Sequence, residues 1–249
     1  MRILPLFSLP IMAGLALAQP TVNTVSGSVS PGSLTSIFGT GLSTSIQVAG
    51  TVPLSTTIND VSSVTLNGTA VPVAYASPTQ IGIQVPWEAV PGNANLVVTN
   101  GVGSSQPVPI QVVQFAPAIV ALSSFNLQAL VTNADGSLNG PPGALPGTTS
   151  NPATAGDTIT IFATGLGPVT PPPVDGASSS DVSRSTTTVP IVMIGGMSAQ
   201  VTFSGLSPQY VGLYQVSVVV PPGVTGVAVP VQIQIGGTTS QSPATIALH

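Results

Sequence analysis

The chain has 249 residues, with six acidic and two basic side chains, one histidine and no cysteine, for a formal net charge of −4. Arg2 is expected to leave with a leader, so Arg184 and the terminal His249 are the remaining basic groups, and both nucleic acid and anionic lipid are disfavoured as partners. Without cysteine there is neither a lipidated leader nor a disulfide framework, so packing alone must hold the fold.

Residues 1–18 run from Met1-Arg2 through an apolar stretch to Ala16-Leu17-Ala18, the pattern of a secretory signal peptide, which predicts export and a mature chain beginning at Gln19. About 230 residues then remain, enough for two domains that each bury a core. No later apolar run reaches the length of a spanning helix. Glycine at 27 residues and proline at 26, against 3% charged residues, point to many short strands joined by turns, with a surface of Ser, Thr, Asn and Gln.

Period-two alternation predicts strands over 33–39, 61–66, 80–85, 95–100, 158–164, 189–194, 197–203 and 213–219, and no segment carries a helical stripe. In the last of these and the residue that follows it, Val216, Val218 and Val220 share the face expected in the core. The chain also repeats itself. Residues 31–42 align without gaps on 155–166, 64–75 on 192–203, and 80–86 on 215–221, in the same order. The fold class is therefore all-β, two tandem immunoglobulin-like β-sandwiches, the first over 19–113 and the second over 114–249. The second is expected to open with a hairpin turning at Asn133–Gly136. It also carries a long loop over 168–188, stiff through Pro171-Pro172-Pro173 and mobile through its serine-rich part.

Several of these stretches in fixed order resemble the Solibacter-type C-terminal domain family of secreted bacterial proteins, similar in style to IPT/TIG immunoglobulin-like domains. They include Ile37-Phe38-Gly39-Thr40-Gly41-Leu42, Ser77-Pro78-Thr79-Gln80-Ile81, Val85-Pro86-Trp87-Glu88, Gly165-Leu166-Gly167-Pro168 and Val211-Gly212-Leu213-Tyr214-Gln215-Val216. The resemblance implies an immunoglobulin-like fold and no catalytic residues. Such modules usually close longer exported proteins, whereas here the module follows the leader directly and is expected to be the whole product.

The residue inventory argues against catalysis. His249 is the one imidazole and the last residue, and lysine is absent, which removes the common serine, zinc and Schiff-base chemistries. Two carboxylates suffice for a glycosidase, and Glu88 with an aspartate is the best such pair, although the spacing of these acids also fits solvated turns. Trp87, the lone tryptophan, either caps the end of the first sandwich or binds a ligand by stacking on a sugar or anchoring a protein; the repeat places Pro222 at its equivalent. Trp87 and Glu88 are thus the candidate ligand-binding residues. Asn133, Asp135 and Asn139 surround Gly136 with oxygens in a weak likeness to a calcium loop, for which a hairpin turn is the competing reading. No cofactor is expected. The leading functional expectation is an extracellular or cell-envelope module binding protein or carbohydrate. A structural spacer or self-associating component is the alternative, and a hydrolase the remote one.

Overall fold

The computed structural model describes residues 18–27, 29–122, 127–144, 147–240 and 244–249. Except for Ala18, the expected leader lies outside the described residues. No described helix is long and apolar enough to cross a membrane.

In chain order the first half contributes β1 (Thr21–Gly27), β2 (Leu34–Thr40), β3 (Gln47–Val48), β4 (Val61–Leu66), β5 (Thr69–Ala70), β6 (Val73–Ala76), β7 (Gln80–Gln84), β8 (Gly92–Asn100), β9 (Gly103–Ser104) and β10 (Val108–Val112). The second half contributes β11 (Ala118–Ile119), β12 (Val131–Asn133), β13 (Leu138–Asn139), β14 (Ser150–Asn151), β15 (Thr158–Thr164), β16 (Val169–Thr170), β17 (Ser185–Thr186), β18 (Ile191–Ile194), β19 (Met197–Leu206), β20 (Tyr214–Val219), β21 (Gly226–Ile235), β22 (Thr238–Thr239) and β23 (Ala244–Leu248).

The first half forms two sheets, β1-β2-β7-β6-β3 and β10-β8-β4-β5. Between them lies a core that includes Ile37, Val61, Val64, Ile81, Ile83, Leu96 and Val98. The second half repeats this path. β15 pairs with β20 as β2 pairs with β7, and β18 pairs with β21 as β4 pairs with β8. Its core includes Ile159, Ile161, Val192, Ile194, Val216, Val218, Ile233 and Ile246. Val216, Val218 and Val220 are all buried, so the alternation in this strand places its valines as expected. Burial of each such side chain is worth about 1.5–3 kcal/mol.

One difference between the copies is informative. β19 starts beside β18, with Val192 opposite Ala199, and ends beside β20, with Leu206 opposite Tyr214, so a single strand passes from one sheet to the other. In the first half the same path is broken by Val71-Pro72 into β5, which pairs with β4, and β6, which pairs with β7. Proline has no N–H to give a ladder, which accounts for the break.

Turns fall where the sequence places them. Asn67 and Gly68 both have positive φ, 50° and 83°, as a two-residue hairpin between β4 and β5 requires. Asn133–Gly136 turns the chain from β12 to β13. The 168–188 segment differs from the expected loop. Its ends pair as β16 and β17, and its serine-rich part is folded around Arg184 rather than left free. Arg184 Nη2 donates to Asp181 Oδ2 at 3.0 Å while Nη1 reaches Asp181 Oδ1, Ser179 Oγ and the Val182 carbonyl. Arg184, the one arginine besides Arg2, is thereby buried with its charge matched, and Ser179 of the serine run serves as one of its ligands.

Candidate functional site

The two halves meet along a seam held by polar contacts from the 168–188 segment. Gly176 donates its N–H to Gln84 Oε1 at 2.6 Å and accepts from the Leu54 N–H at 2.8 Å, while Asp175 Oδ1 accepts from the Trp87 N–H at 2.9 Å. At the other side, the Leu34 N–H donates to Thr164 Oγ1 at 3.3 Å. These bonds join residues about ninety positions apart or more, so they fix how one half sits on the other.

Trp87 occupies this seam. A Cβ on Gly32 would lie 2.1 Å from Trp87 Cη2, so the indole rests directly on the glycine backbone, and only glycine leaves room for it. On the other side its ring centroid is 6.5 Å from that of Tyr214, tilted by 60°. Tyr214 is wholly buried and donates its hydroxyl to the Gly167 carbonyl; burial pushes its phenol pKa up. The half-buried Trp87 thus packs against the core of the second sandwich, and its Nε1 is buried without a partner. In its packing contacts Trp87 bridges the two halves rather than capping the first.

Glu88 is exposed beside it, on the wall of a cleft of about 250 Å³. The cleft is lined by Leu66, Pro86, Val90 and Val112, with Asn67, Thr69, Glu88 and Asp175 as its polar groups. Asp175 is the residue that sequence reasoning missed. Its carboxyl pKa is raised, chiefly by burial and also by the charge of Glu88, while the Trp87 N–H opposes the shift. No cation lines the cleft to offset the two acids. Asn67 Oδ1 accepts from the Asn95 N–H at 2.8 Å, which fixes the side-chain amide.

The residues of the weak calcium likeness are engaged within the protein. Asp135 Oδ1 accepts from the Ser137 N–H at 2.9 Å and from its hydroxyl at 2.6 Å, a local turn that lowers the Asp135 pKa. Asn139 is buried, with Oδ1 accepting from the Ala247 N–H and Nδ2 donating to the Ala247 carbonyl. Asn133 Nδ2 donates to Ser137 Oγ and to the Asn151 carbonyl. This is the hairpin reading, with Asn139 tying the hairpin to β23. Among the described residues no group of three or more His, Asp or Glu side chains could hold a metal. His249 is exposed, and its N–H donates to the Ala153 carbonyl.

No family model matches the chain, and no curated protein matches it. Solved structures do. A Bacteroides ovatus mixed-linkage glucan utilization locus protein, SGBP-B, solved with a mixed-linkage heptasaccharide, is similar over 89% of this chain and 43% of its own, at 13% identity and a TM-score of 0.37. The γ-CGTase of an alkalophilic Bacillus clarkii is similar over 94% of this chain and 26% of its own, at 13% identity and a TM-score of 0.31. The titin Ig tandem A164-A165 is similar over 88% of this chain and 90% of its own, at 12% identity and a TM-score of 0.24. The chain spans less than half the length of the first two. The chain's own strand order and its two buried cores make it an all-β protein of two β-sandwich halves.

Proposed function

We propose that the chain is a non-catalytic carbohydrate-binding module of the cell envelope or exterior, and that the cleft bearing Glu88 and Asp175 is a binding site. The observation that carries this reading is the composition of the cleft. Its apolar lining of Leu66, Pro86 and Val90 suits the C–H groups of a sugar ring, and its acids and Asn67 amide suit ring hydroxyls. Without a lining cation, an anionic ligand would meet unopposed negative charge. The inventory of one terminal histidine and no lysine supports a binding role over a catalytic one.

Binding is tested with a glycan array and calorimetry on the whole chain. Glu88→Gln and Asn67→Ala are expected to weaken the bound glycan about tenfold, as loss of a hydrogen bond to a charged or amide group does. Equal binding by both variants refutes the site. Because two carboxylates in one cleft are also the minimum apparatus of a glycosidase, the same glycans are examined for cleavage, and turnover abolished by Glu88→Gln would refute the non-catalytic reading.

A second reading, self-association, is favoured by the edge at β3, where Ile46 is 71% and Val48 67% exposed with no charged residue to block strand pairing. Light scattering that finds a monomer at high concentration would remove it.

A further inference from the structure

Glycine follows asparagine at three places in the sequence, Asn67-Gly68, Asn100-Gly101 and Asn139-Gly140. The pairing carries a latent reaction. A glycine backbone nitrogen, unshielded by a side chain of its own, can add to the carboxamide carbon of the asparagine before it, one source of that residue's thermal lability. In the sequence the three pairs are equivalent, and the fold separates them.

Asn139 is wholly buried, with Oδ1 accepting from the Ala247 N–H at 2.8 Å and Nδ2 donating to the Ala247 carbonyl at 3.0 Å. The nitrogen that would attack it, that of Gly140, donates to the Asn151 carbonyl at 3.2 Å. Asn100 is also buried. Its Nδ2 donates to the Gly41 carbonyl at 2.8 Å, and its Oδ1 accepts from the Val102 and Gly103 N–H groups at 2.9 Å and 3.3 Å. In both residues the amide nitrogen that must leave is held by a carbonyl and shielded from water, so reaction there requires local unfolding.

Asn67 differs in each respect. Asn67 and Gly68 are both exposed, at the tip of the β4–β5 hairpin. A Cβ on Gly68 would meet nothing within 4 Å, so the turn has open space in which to pivot. Among the described residues no hydrogen bond holds the Gly68 N–H or the Asn67 Nδ2. The Asn67 N–H donates to the Asn95 carbonyl at 2.9 Å, and Asn67 Oδ1 accepts from the Asn95 N–H at 2.8 Å. That second donor meets the oxygen on which negative charge gathers as the carboxamide carbon becomes tetrahedral, at the distance of an oxyanion-hole contact.

We propose that Asn67 is a site of spontaneous modification, at which the chain converts a carboxamide of the cleft into a carboxylate. The Gly68 nitrogen gives up its proton to solvent base and bonds to Asn67 Cγ. The tetrahedral carbon then expels Nδ2, which takes up a proton and leaves as ammonia, and a five-membered succinimide remains. Water adds to one of the two imide carbonyl carbons and breaks its bond to the imide nitrogen. Opening at Cγ gives aspartate, and opening at the main-chain carbonyl gives isoaspartate. The net change is one of hydrolysis, with water taken up and ammonia released. The cleft that holds Glu88 and Asp175 thereby gains a further carboxylate. The reaction depends on the geometry of the turn and not on what the cleft binds, so it stands or falls separately from glycan binding.

The test incubates the whole chain at mildly alkaline pH, with and without guanidinium chloride. Conversion at each of the three asparagines is followed by mass spectrometry of chymotryptic peptides, with a protein isoaspartyl methyltransferase and labelled methyl donor as the probe of isoaspartate. In the folded chain Asn67 is expected to convert at least about tenfold faster than Asn100 or Asn139, which react only through rarely populated open states. In denaturant the three rates should converge. Gly68→Ala places a methyl beside the attacking nitrogen and should slow conversion at Asn67 about tenfold in the unfolded chain, where the geometry of the turn has no part. Conversion of Asn100 or Asn139 in the folded chain as fast as that of Asn67 overturns the proposal. So does an Asn67 that converts in denaturant and stays intact in the folded chain. An unchanged rate in unfolded Gly68→Ala overturns the succinimide route.

Discussion

Replacing Trp87 by alanine should destabilise the protein by about 2 kcal/mol and loosen one half from the other. Truncating a fully buried tryptophan costs about 3–5 kcal/mol through lost transfer energy and the cavity left behind. Trp87 is half-buried between Gly32 and Tyr214, so about two-thirds of that applies. Its indole nitrogen is buried without a partner, and removing that donor returns about 1 kcal/mol. Since the chain has one tryptophan, unfolding is followed in urea by far-ultraviolet circular dichroism rather than fluorescence. The wild type should unfold in one transition and Trp87→Ala in two, because the indole packs against the second core while its backbone belongs to the first half. Trp87→Phe keeps a ring in the seam and drops the orphan N–H, so it should stay within about 1 kcal/mol of wild type. A single unshifted transition in Trp87→Ala would refute the bridging role.

Gly32→Ala should reproduce the Trp87→Ala phenotype, since φ is +75° and the added methyl occupies the indole's place. The double variant should cost less than the sum of the two, as a double-mutant cycle in urea will show. Tyr214→Phe removes the hydroxyl bonded to the buried Gly167 carbonyl and should cost about 1–2 kcal/mol in a urea titration. Hydrogen bonds from Arg184 lower the Asp181 pKa from 3.8 to about 2, so its contribution is present above the unfolded value and lost as pH falls through the folded one. Asp181→Asn should therefore flatten the acid limb of a melting-temperature profile in that window. Asp175 acts in the opposite sense, because its raised pKa favours the folded state at low pH and that contribution is lost as pH rises through the folded value. Arg184 is also the one trypsin site besides Arg2 and is buried. Native protein should resist trypsin, and Asp181→Ala should be cut at Arg184 many times faster.

Strands such as Val61–Leu66 and Thr158–Thr164 are legible in the sequence because each lies half in a core, and alternation is a local property that a sheet face imposes. The duplicated topology is legible because the two copies keep glycine exits and core positions in register. What the sequence hides is non-local. Nothing near Asp175 indicates that it will meet the Trp87 backbone 88 residues earlier, and nothing near Gln84 indicates Gly176. The 168–188 segment misleads for the same reason. Serine-rich composition ordinarily signals a solvated loop, but here Ser179 ligates Arg184, and one buried cation overrides the local preference. A lone tryptophan fits a binding anchor and a packing wedge equally in the sequence, and the Gly32 backbone beneath the indole is a contact that only the fold brings about.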